Sequence, residues 1–442
     1  MKVVVITVAA FLLLAIPAAL FFLSATPVVD LKPAPALLGA ETPVNVEIWA
    51  PYGVRRVAVT VEQNSVKTSA ETKQSPNRFT FWQSRPEQPF TVTQKLATTP
   101  KDGFRNGPAK LIVEAESNDL RGAVTRREYE VKIDLRPPTL KVDGEQHYIN
   151  QGGAELVTFE VGGYWTEAGV RIGQYSFRSF PLPGASNANQ RFSLFAWPWD
   201  VPANMTPVVY ARNEAGGETI ARFWFKLFPK QFRKRELPLD DGFLEKVTAE
   251  IDPGGPGSLL ERYLKINGEM RRKNNAALAE LRGKTAERFL WSTAFEQLSN
   301  SKVEAFFADV RSYMYGGKKV DEQVHLGFDL SVTANVPVVS SNDGVVVYAD
   351  RLGIYGNCVV VDHGYGLQSI YAHLSEIGVK PGQAVKKREV LGKSGATGLA
   401  GGDHLHYSMQ IDGVQVNPVE WWDAHWIQDR IFSKVKPHGV AQ

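Results

Sequence analysis

Hydrophobic and polar positions alternate along most of the chain. In the segment Val44-Asn45-Val46-Glu47-Ile48-Trp49, apolar and polar residues alternate over the first five positions. Successive side chains of a strand point to opposite faces, so this pattern predicts a strand with one buried face. Similar runs, separated by turn residues, recur up to residue 228. Their spacing predicts two β-sandwich modules of the immunoglobulin type, at residues 44–137 and 138–229.

The pattern changes between residues 230 and 288, which we interpret as a basic and helical connector. It opens with the charged run Lys230 to Arg235. Further on, Ser258-Leu259-Leu260-Glu261 has the form of a capping box, which predicts the start of a helix. A second helix is predicted from Asn275 to Leu281. The segment is a plain connector in this interpretation, and a lid over a site is the alternative.

Short β-type runs return at residue 289 and continue to residue 426. Examples of these runs are Cys358 to Asp362 and Ser369 to His373. Gly and Asn-Asp turns separate the runs from one another. This pattern predicts a compact, Gly-rich, all-β C-terminal domain, followed by a tail at residues 427–442. The fold class is therefore mainly β.

The N-terminal segment is the longest apolar run. Val3 to Leu23 carries no charge, and about 20 apolar residues are needed to cross the ~30 Å hydrocarbon core of a bilayer. We therefore predict a transmembrane helix within residues 1–25 that anchors the chain to the membrane. A cleaved signal is the second interpretation. Residues 26–43 are rich in proline, which predicts a spacer.

Charge and cysteine content narrow the function classes. The net charge of +3 on 442 residues argues against a nucleic-acid partner. Cys358 is the single cysteine, so the chain has no intramolecular disulfide and no cysteine-rich zinc site. A bound metal must be held by histidine and carboxylate side chains.

Three separated histidine motifs lie in the C-terminal domain. His404 and His406 are two residues apart in an alternating run, so both imidazoles are expected on one strand face. His325 and Asp329 flank a short turn, and Tyr371 and His373 are expected to share a strand face. Three protein ligands of this kind, with one open position, are what a catalytic Zn²⁺ site requires.

The region from about residue 289 to 426 resembles the lysostaphin-type zinc metallopeptidases, also called the LytM-domain family. The resemblance covers about a third of the chain, and its motifs occur in the family order. These motifs are His325–Asp329, Gly356–Gly364, Tyr371–Leu374, Gly395–Gly398, His404–His406 and Val416–Pro418.

The resemblance assigns roles to five residues. It implies that His325, Asp329 and His406 bind zinc. It implies that His373 and His404 stand beside the catalytic water, where one histidine accepts its proton and the other stabilises the oxyanion or helps the amine to leave.

Other positions of the domain have weaker assignments. Tyr371 and Tyr407 are expected in the walls of the substrate groove, and His363 is expected to be structural. Asp403 and Ala308 stand where family members often have proline and glycine, which affects the expected shape of two loops.

The resemblance implies a zinc-dependent endopeptidase that hydrolyses peptide cross-links of bacterial peptidoglycan, with stem peptides as its substrate. The bulk of the chain is then extracytoplasmic, in the periplasm, with a single-pass anchor in the cell membrane. Two alternatives are a membrane-anchored wall-binding or amidase-regulating scaffold without activity, and a zinc peptidase acting on protein. The presence of both His373 and His404 favours an enzyme. The two β modules are expected to act as a spacer, and docking of a regulatory protein is the alternative.

Overall fold

The computed structural model describes residues 24–73, 88–119 and 121–435, together with residues 15, 18 and 21. The predicted membrane segment, Val3 to Leu23, therefore lies almost entirely outside the described residues, as does the end of the predicted tail, residues 436–442. Across the part of the chain that is described, no helix is both long and apolar enough to cross a membrane.

The chain divides into two compact units. One consists of residues 1–139, 162–166 and 211–219, and the other contains the remaining residues up to 442. Most of the second predicted β module, residues 138–229, thus belongs to the same compact unit as the C-terminal domain. The module boundaries proposed from the sequence remain predictions.

The first unit contains two sheets that share one hydrophobic core. One sheet has the order β1-β3-β6 and the other β2-β8-β7-β4-β5. Strand β3 buries Val44, Val46 and Ile48 on one face, as its alternation predicts. The strands are β1 (Val28–Leu31), β2 (Leu37–Leu38), β3 (Glu41–Trp49), β4 (Val54–Gln63), β5 (Val66–Lys73), β6 (Phe90–Ala97), β7 (Gly107–Ser117) and β8 (Val124–Ile133).

The segment predicted as a proline-rich spacer, residues 26–43, contributes to these sheets. Val29 and Leu31 of β1 are buried in the core, and β1 pairs with β3 along its whole length. The prolines in this segment did not exclude a short alternating strand, because a strand at the edge of a sheet tolerates proline nearby. The spacer interpretation was therefore wrong for this segment.

The second β module is built from short strands in two four-stranded sheets and one parallel pair. The sheet orders are β14-β15-β11-β9 and β13-β12-β16-β17, and β10 pairs with β18. The immunoglobulin-type topology remains a prediction. The strands are β9 (Thr139–Val142), β10 (His147–Asn150), β11 (Ala154–Gly162), β12 (Glu167–Ile172), β13 (Tyr175–Arg178), β14 (Phe180–Pro181), β15 (Gln190–Ala196), β16 (Val208–Arg212), β17 (Glu218–Ala221) and β18 (Phe225–Phe228).

The connector is part of the second compact unit, together with the C-terminal domain. It contains strand β19 (Lys234–Pro238), helix α1 (Asp241–Ile251), helix α2 (Leu259–Lys265) and helix α3 (Arg271–Glu280), with a π-helical turn at Ile266–Met270 joining α2 to α3. The capping box at Ser258 and Glu261 is present. Leu244, Tyr263 and Leu278 lie in one buried cluster with residues of the C-terminal sheet.

Specific contacts hold the basic run at the start of the connector against the C-terminal domain. Arg233 forms an ion pair with the buried carboxylate of Asp309. Strand β19, which follows directly, runs parallel to strand β21 (Asp309–Tyr315). Pairing and charge together fix this segment against the C-terminal domain.

The C-terminal domain is all-β up to residue 416. Its main sheet has the order β20-β23-β31-β27-β26-β25-β29, with β32 attached to β31. Smaller sheets have the orders β19-β21-β22 and β24-β30-β28. The elements are β20 (Lys302–Ala305), β21 (Asp309–Tyr315), β22 (Lys318–His325), β23 (Phe328–Ser331), β24 (Pro337–Val339), β25 (Gly344–Arg351), β26 (Asn357–Gly364), β27 (Leu367–Leu374), β28 (Glu376–Ile377), β29 (Ala384–Val385), β30 (Val390–Lys393), β31 (His404–Ile411), β32 (Val414–Val416), α4 (Val419–Trp422) and α5 (Ala424–Ile427).

Buried polar contacts fasten the second β module to this domain. Glu420 of α4 accepts hydrogen bonds from Asn150 Nδ2 and from the Ala154 backbone, both at 2.8 Å. Arg178 donates to Asp412, with Nε 2.7 Å from Oδ1. Removal of one partner from such buried pairs is costly. The second module is thus attached to the C-terminal domain by specific buried contacts, and its role as a spacer remains a prediction.

Glu420 should make the stability of this unit depend on pH. Burial raises its pKa from 4.5 to about 7. The folded state therefore keeps a proton that the unfolded state loses, and stability falls as pH rises from about 4.5 to about 7. The full loss is on the order of 3 kcal/mol, because one pH unit between two pKa values corresponds to about 1.4 kcal/mol.

We expect the Glu420→Gln variant to lack this pH dependence. Melting temperatures should be measured by calorimetry between pH 5 and pH 8, where the wild type should lose several degrees more than the variant. Glu280→Gln, at an exposed position of α3, is the matched control and should follow the wild type. Parallel curves for wild type and Glu420→Gln would contradict the assignment.

Candidate metal centre and active site

Strand pairing brings the predicted ligands to one face of the main sheet. Asp329 of β23 lies directly opposite His406 of β31, and His404 lies opposite Ser331. Directly paired residues of antiparallel strands point to the same side. His325 ends β22 and reaches the same point across the short turn that leads into β23.

Three ligating atoms converge within this cluster. His325 Nε2 is 2.9 Å from Asp329 Oδ1 and 3.0 Å from His406 Nδ1, and His406 Nδ1 is 3.1 Å from the same carboxylate oxygen. Ligands of tetrahedral zinc at about 2.0–2.1 Å from the ion lie roughly 3.3 Å apart. Two imidazoles and a carboxylate in this triangle therefore fit a zinc ion with an open fourth position.

Two backbone features make room for the cluster. A Cβ atom on Gly327 would lie 2.6 Å from Cε1 of His406, so only glycine fits in this turn. Ala308, where the resembling family often has glycine, adopts a left-handed φ of 61°. Its backbone N–H donates to the carbonyl of His325 at 2.7 Å, which helps to fix the end of β22.

Hydrogen bonds and burial prepare the imidazoles to act as ligands. His325 Nδ1 lies 3.0 Å from the Phe306 carbonyl, which accepts a hydrogen bond from Nδ1–H and leaves Nε2 with a free lone pair. Burial lowers the pKa of His325, and it lowers the pKa of His406 to about 4. Both rings are therefore neutral near pH 7, as metal binding requires.

Arg311 positions the carboxylate of the cluster. Its Nη2 donates to Asp329 Oδ2 at 2.7 Å, which leaves Oδ1 directed toward the two histidines. Arg311 was not among the residues predicted from the sequence. The available signal was its place in an alternating run, Val310-Arg311-Ser312-Tyr313-Met314, where one charged residue occurs near the first histidine motif.

His373 reaches the site through a β-bulge. Strand β27 has one extra residue between the pairs Asn357–Leu374 and Val359–Tyr371. His373 takes a left-handed φ of 64° at this point, a conformation that is uncommon for residues other than glycine and often marks a functional site. Its ring centroid lies 4.9 Å from that of His404 and 5.8 Å from that of His406.

His373 and His404 are oriented differently by their surroundings. His373 Nδ1 lies 2.8 Å from the Thr397 carbonyl, and burial holds the pKa of His373 well below its usual range. Burial also opposes the charged form of His404, but the carboxylate of Asp329, 3.5 Å from its Nε2, outweighs that effect and raises the pKa of His404. Two neighbouring imidazoles thus favour different protonation states.

The structure places Tyr371 and Tyr407 away from the groove. Their exposed fractions are 1% and 2%, and both hydroxyl groups hydrogen-bond to Ser341. The two residues are directly paired and lie on the opposite face from His406, because alternation holds for β31. The expected shared face of Tyr371 and His373 fails because the bulge intervenes.

His363 has the structural role that was expected. It is fully buried and hydrogen-bonds to the Asp343 carbonyl and to Ser369, both at 2.7 Å. Burial lowers the pKa of His363 to about 4. The ring therefore serves as a neutral link between two segments of the domain interior.

A cavity of about 280 Å³ opens over the histidine cluster. One side is lined by the cluster itself, with Leu399, Ala400 and Gly401 beside it. The other side is lined by the connector, through residues of β19, α1, α2 and α3. The connector thus contributes a wall of the candidate site. On the sequence alone, a role at the site was the alternative to a plain connector.

Helix α1 also holds the glycine-rich loop that leads to His404. Lys246 Nζ donates to the Ala400 carbonyl at 3.0 Å, and the Gly398 N–H donates to Glu250 Oε1 at 2.6 Å. The loop is therefore fixed by the connector at both its middle and its start.

The sequence comparisons bear on this part of the chain. Residues 323–418 match the model described as peptidase family M23. This part of the chain is an M23 peptidase domain. The match includes the His-Asp-His cluster, and family and cluster together fit a bound metal ion.

The M23 domain is similar to domains of several other proteins. DD-carboxypeptidase/endopeptidase Mpg of Neisseria meningitidis is 42% identical over 97 residues, which are 22% of this chain and 22% of that protein. Peptidoglycan DD-endopeptidase ShyA of Vibrio cholerae is 42% identical over 96 residues, again 22% of each chain. The chain thus spans about a fifth of the length of these relatives. The crystallised catalytic domain of lysostaphin from Staphylococcus simulans is 25% identical, with a TM-score of 0.25, and covers 30% of this chain and 98% of that one.

Loss of one predicted ligand should abolish metal binding. We expect His406→Ala to lose its metal, because two remaining ligands cannot hold zinc in a tetrahedral site. Elemental analysis of the purified protein measures the metal content directly. His425→Ala, which changes a histidine whose side chain is 90% exposed, should keep one metal per chain. Full occupancy in His406→Ala would rule out this ligand set.

Proposed function

We propose that this protein is a zinc-dependent endopeptidase that hydrolyses peptide cross-links of bacterial peptidoglycan during remodelling of the cell wall. The observation that carries the proposal is the convergence of His325, Asp329 and His406 beside two further histidines in a cavity. The names of the relatives, which include peptidoglycan DD-endopeptidase, support the substrate class. Zinc is the metal that imidazole and carboxylate ligands in this geometry suit.

The side chains supply complementary parts of the chemistry. Bound zinc would polarise the scissile carbonyl and lower the pKa of a water molecule toward about 7. His373, neutral and with its Nδ1 facing the Thr397 carbonyl, has Nε2 free to accept a proton from the attacking water. His404, whose pKa is raised, is suited to donate a hydrogen bond to the developing oxyanion or a proton to the leaving amine.

A scaffold without activity is the less favoured function. A purely structural metal site is closed by four protein ligands, whereas the cluster here offers three, and two more histidines stand next to it. Their presence is explained by proton transfer and has no purpose in a scaffold.

The remaining segments agree with an extracytoplasmic enzyme. We propose that the apolar segment Val3 to Leu23 anchors the chain in the cell membrane, on the basis of its length and lack of charge. The bulk of the chain would then lie in the periplasm, where peptidoglycan is available. For the first β module, residues 44–137, we propose a spacer role, with docking of a regulatory protein as the alternative.

Digestion of purified wall tests the activity. The full-length chain in detergent, loaded with zinc, should release soluble fragments with newly exposed amino groups, and a chelator should stop the release. Readdition of zinc should restore it. A zinc-loaded protein that leaves wall intact, while cleaving an unstructured protein such as casein, would favour the protein-directed peptidase instead.

The two additional histidines should be needed for turnover and not for metal binding. We expect His373→Ala and His404→Ala to retain zinc and to lose about 10²–10⁴-fold in rate, the usual contribution of general acid–base catalysis. Rates on wall and zinc content should be measured on the same preparations. A near wild-type rate in either variant would remove that residue from the mechanism.

A further inference from the structure

The cavity extends past the metal-binding side chains to a second group of polar residues on the connector. Tyr263 of α2, together with Arg271 and Asn275 of α3, lines this end. Leu239 and Phe243 add apolar surface beside them. None of these residues belongs to the segment that matches the M23 family.

The charge of Arg271 is not balanced by a carboxylate. Its Nε donates to the Asn267 carbonyl at 3.1 Å and its Nη2 to Asn267 Oδ1 at 2.5 Å, and both acceptors are neutral. Within the described part of the chain, no Asp or Glu oxygen lies within 4 Å of its guanidinium. Arg311, in contrast, is paired with Asp329. A half-buried, unpaired guanidinium favours an anionic ligand.

We propose that this end of the cavity is a subsite for a carboxylate of the peptide substrate, with Arg271 as the counter-charge. The inference rests on the proposed function, because it assigns a substrate group to the same cavity. Leu239 and Phe243 would contact the small apolar side chain next to that carboxylate. Substrate peptides offer two such carboxylates, one at the C-terminus and one on a diamino-acid side chain.

Binding of defined peptides tests the subsite without relying on hydrolysis. The zinc-loaded, full-length His404→Ala protein should be titrated by calorimetry with a stem tetrapeptide ending in D-alanine. The same peptide should be used as its C-terminal amide and as its side-chain amide. We expect one of the two amides to bind about tenfold or more weakly, the effect of one charge-assisted hydrogen bond. The amide that loses affinity identifies which carboxylate is bound.

Arg271→Gln, combined with His404→Ala, should weaken binding of the free acid by a similar factor. It should not change binding of the amide that loses affinity. That amide already lacks the carboxylate with which Arg271 interacts, so removing Arg271 costs nothing further. Arg272→Gln, one residue along on the exposed side of α3, is the matched control and should bind like the parent.

Equal affinity for the acid and both amides would overturn the subsite, as would an equal loss for acid and amide in Arg271→Gln. Failure of the proposed function has a different signature. In that case the protein with His404 intact would bind the acid selectively and yet cleave neither the peptide cross-link nor wall.

Discussion

Two neutral imidazoles and one carboxylate are held with their ligating atoms about 3 Å apart in the interior of the C-terminal domain. Burial of such a group is unfavourable unless a cation or hydrogen bonds compensate for the lost hydration. Much of the surrounding structure serves to hold this arrangement. Gly327 leaves space for the ring of His406, the Phe306 carbonyl orients His325, and Arg311 binds the outer oxygen of Asp329.

The need to hold these ligating atoms in place also explains why the domain extends beyond the boundaries of the M23 match. The strand that carries Arg311 pairs with the connector strand β19 on one side and with β22, which ends at His325, on the other. Helix α1 fixes the loop before His404 through Lys246 and Glu250. The connector thus supports the site through strand pairing and hydrogen bonds. Its contribution to the cavity wall follows from these contacts.

The second β module is attached to residues near the C-terminal end of the domain. Glu420, Asp412 and Lys434, all from the C-terminal part, make buried hydrogen bonds or ion pairs with residues of this module. Contacts of this type are specific in geometry, and a different module of equal length would leave the charged partners unpaired. Sequence rhythm alone suggested two equivalent modules, whereas the buried polar contacts distinguish them.

The sequence by itself determined the mainly β class, the capping box of α2, the common face of His404 and His406, and the grouping of His325 with Asp329. These are local properties, set by the two-residue period of a strand and by short spacings. Only the tertiary structure decided that both faces of β31 are buried and that Tyr407 lies on the face opposite His406, away from the groove. It also decided where β27 carries its extra residue, and which segment covers the cavity. The alternation of a strand does not reveal where pairing with its neighbours forces a bulge, and packing between distant segments leaves no periodic signal in either one.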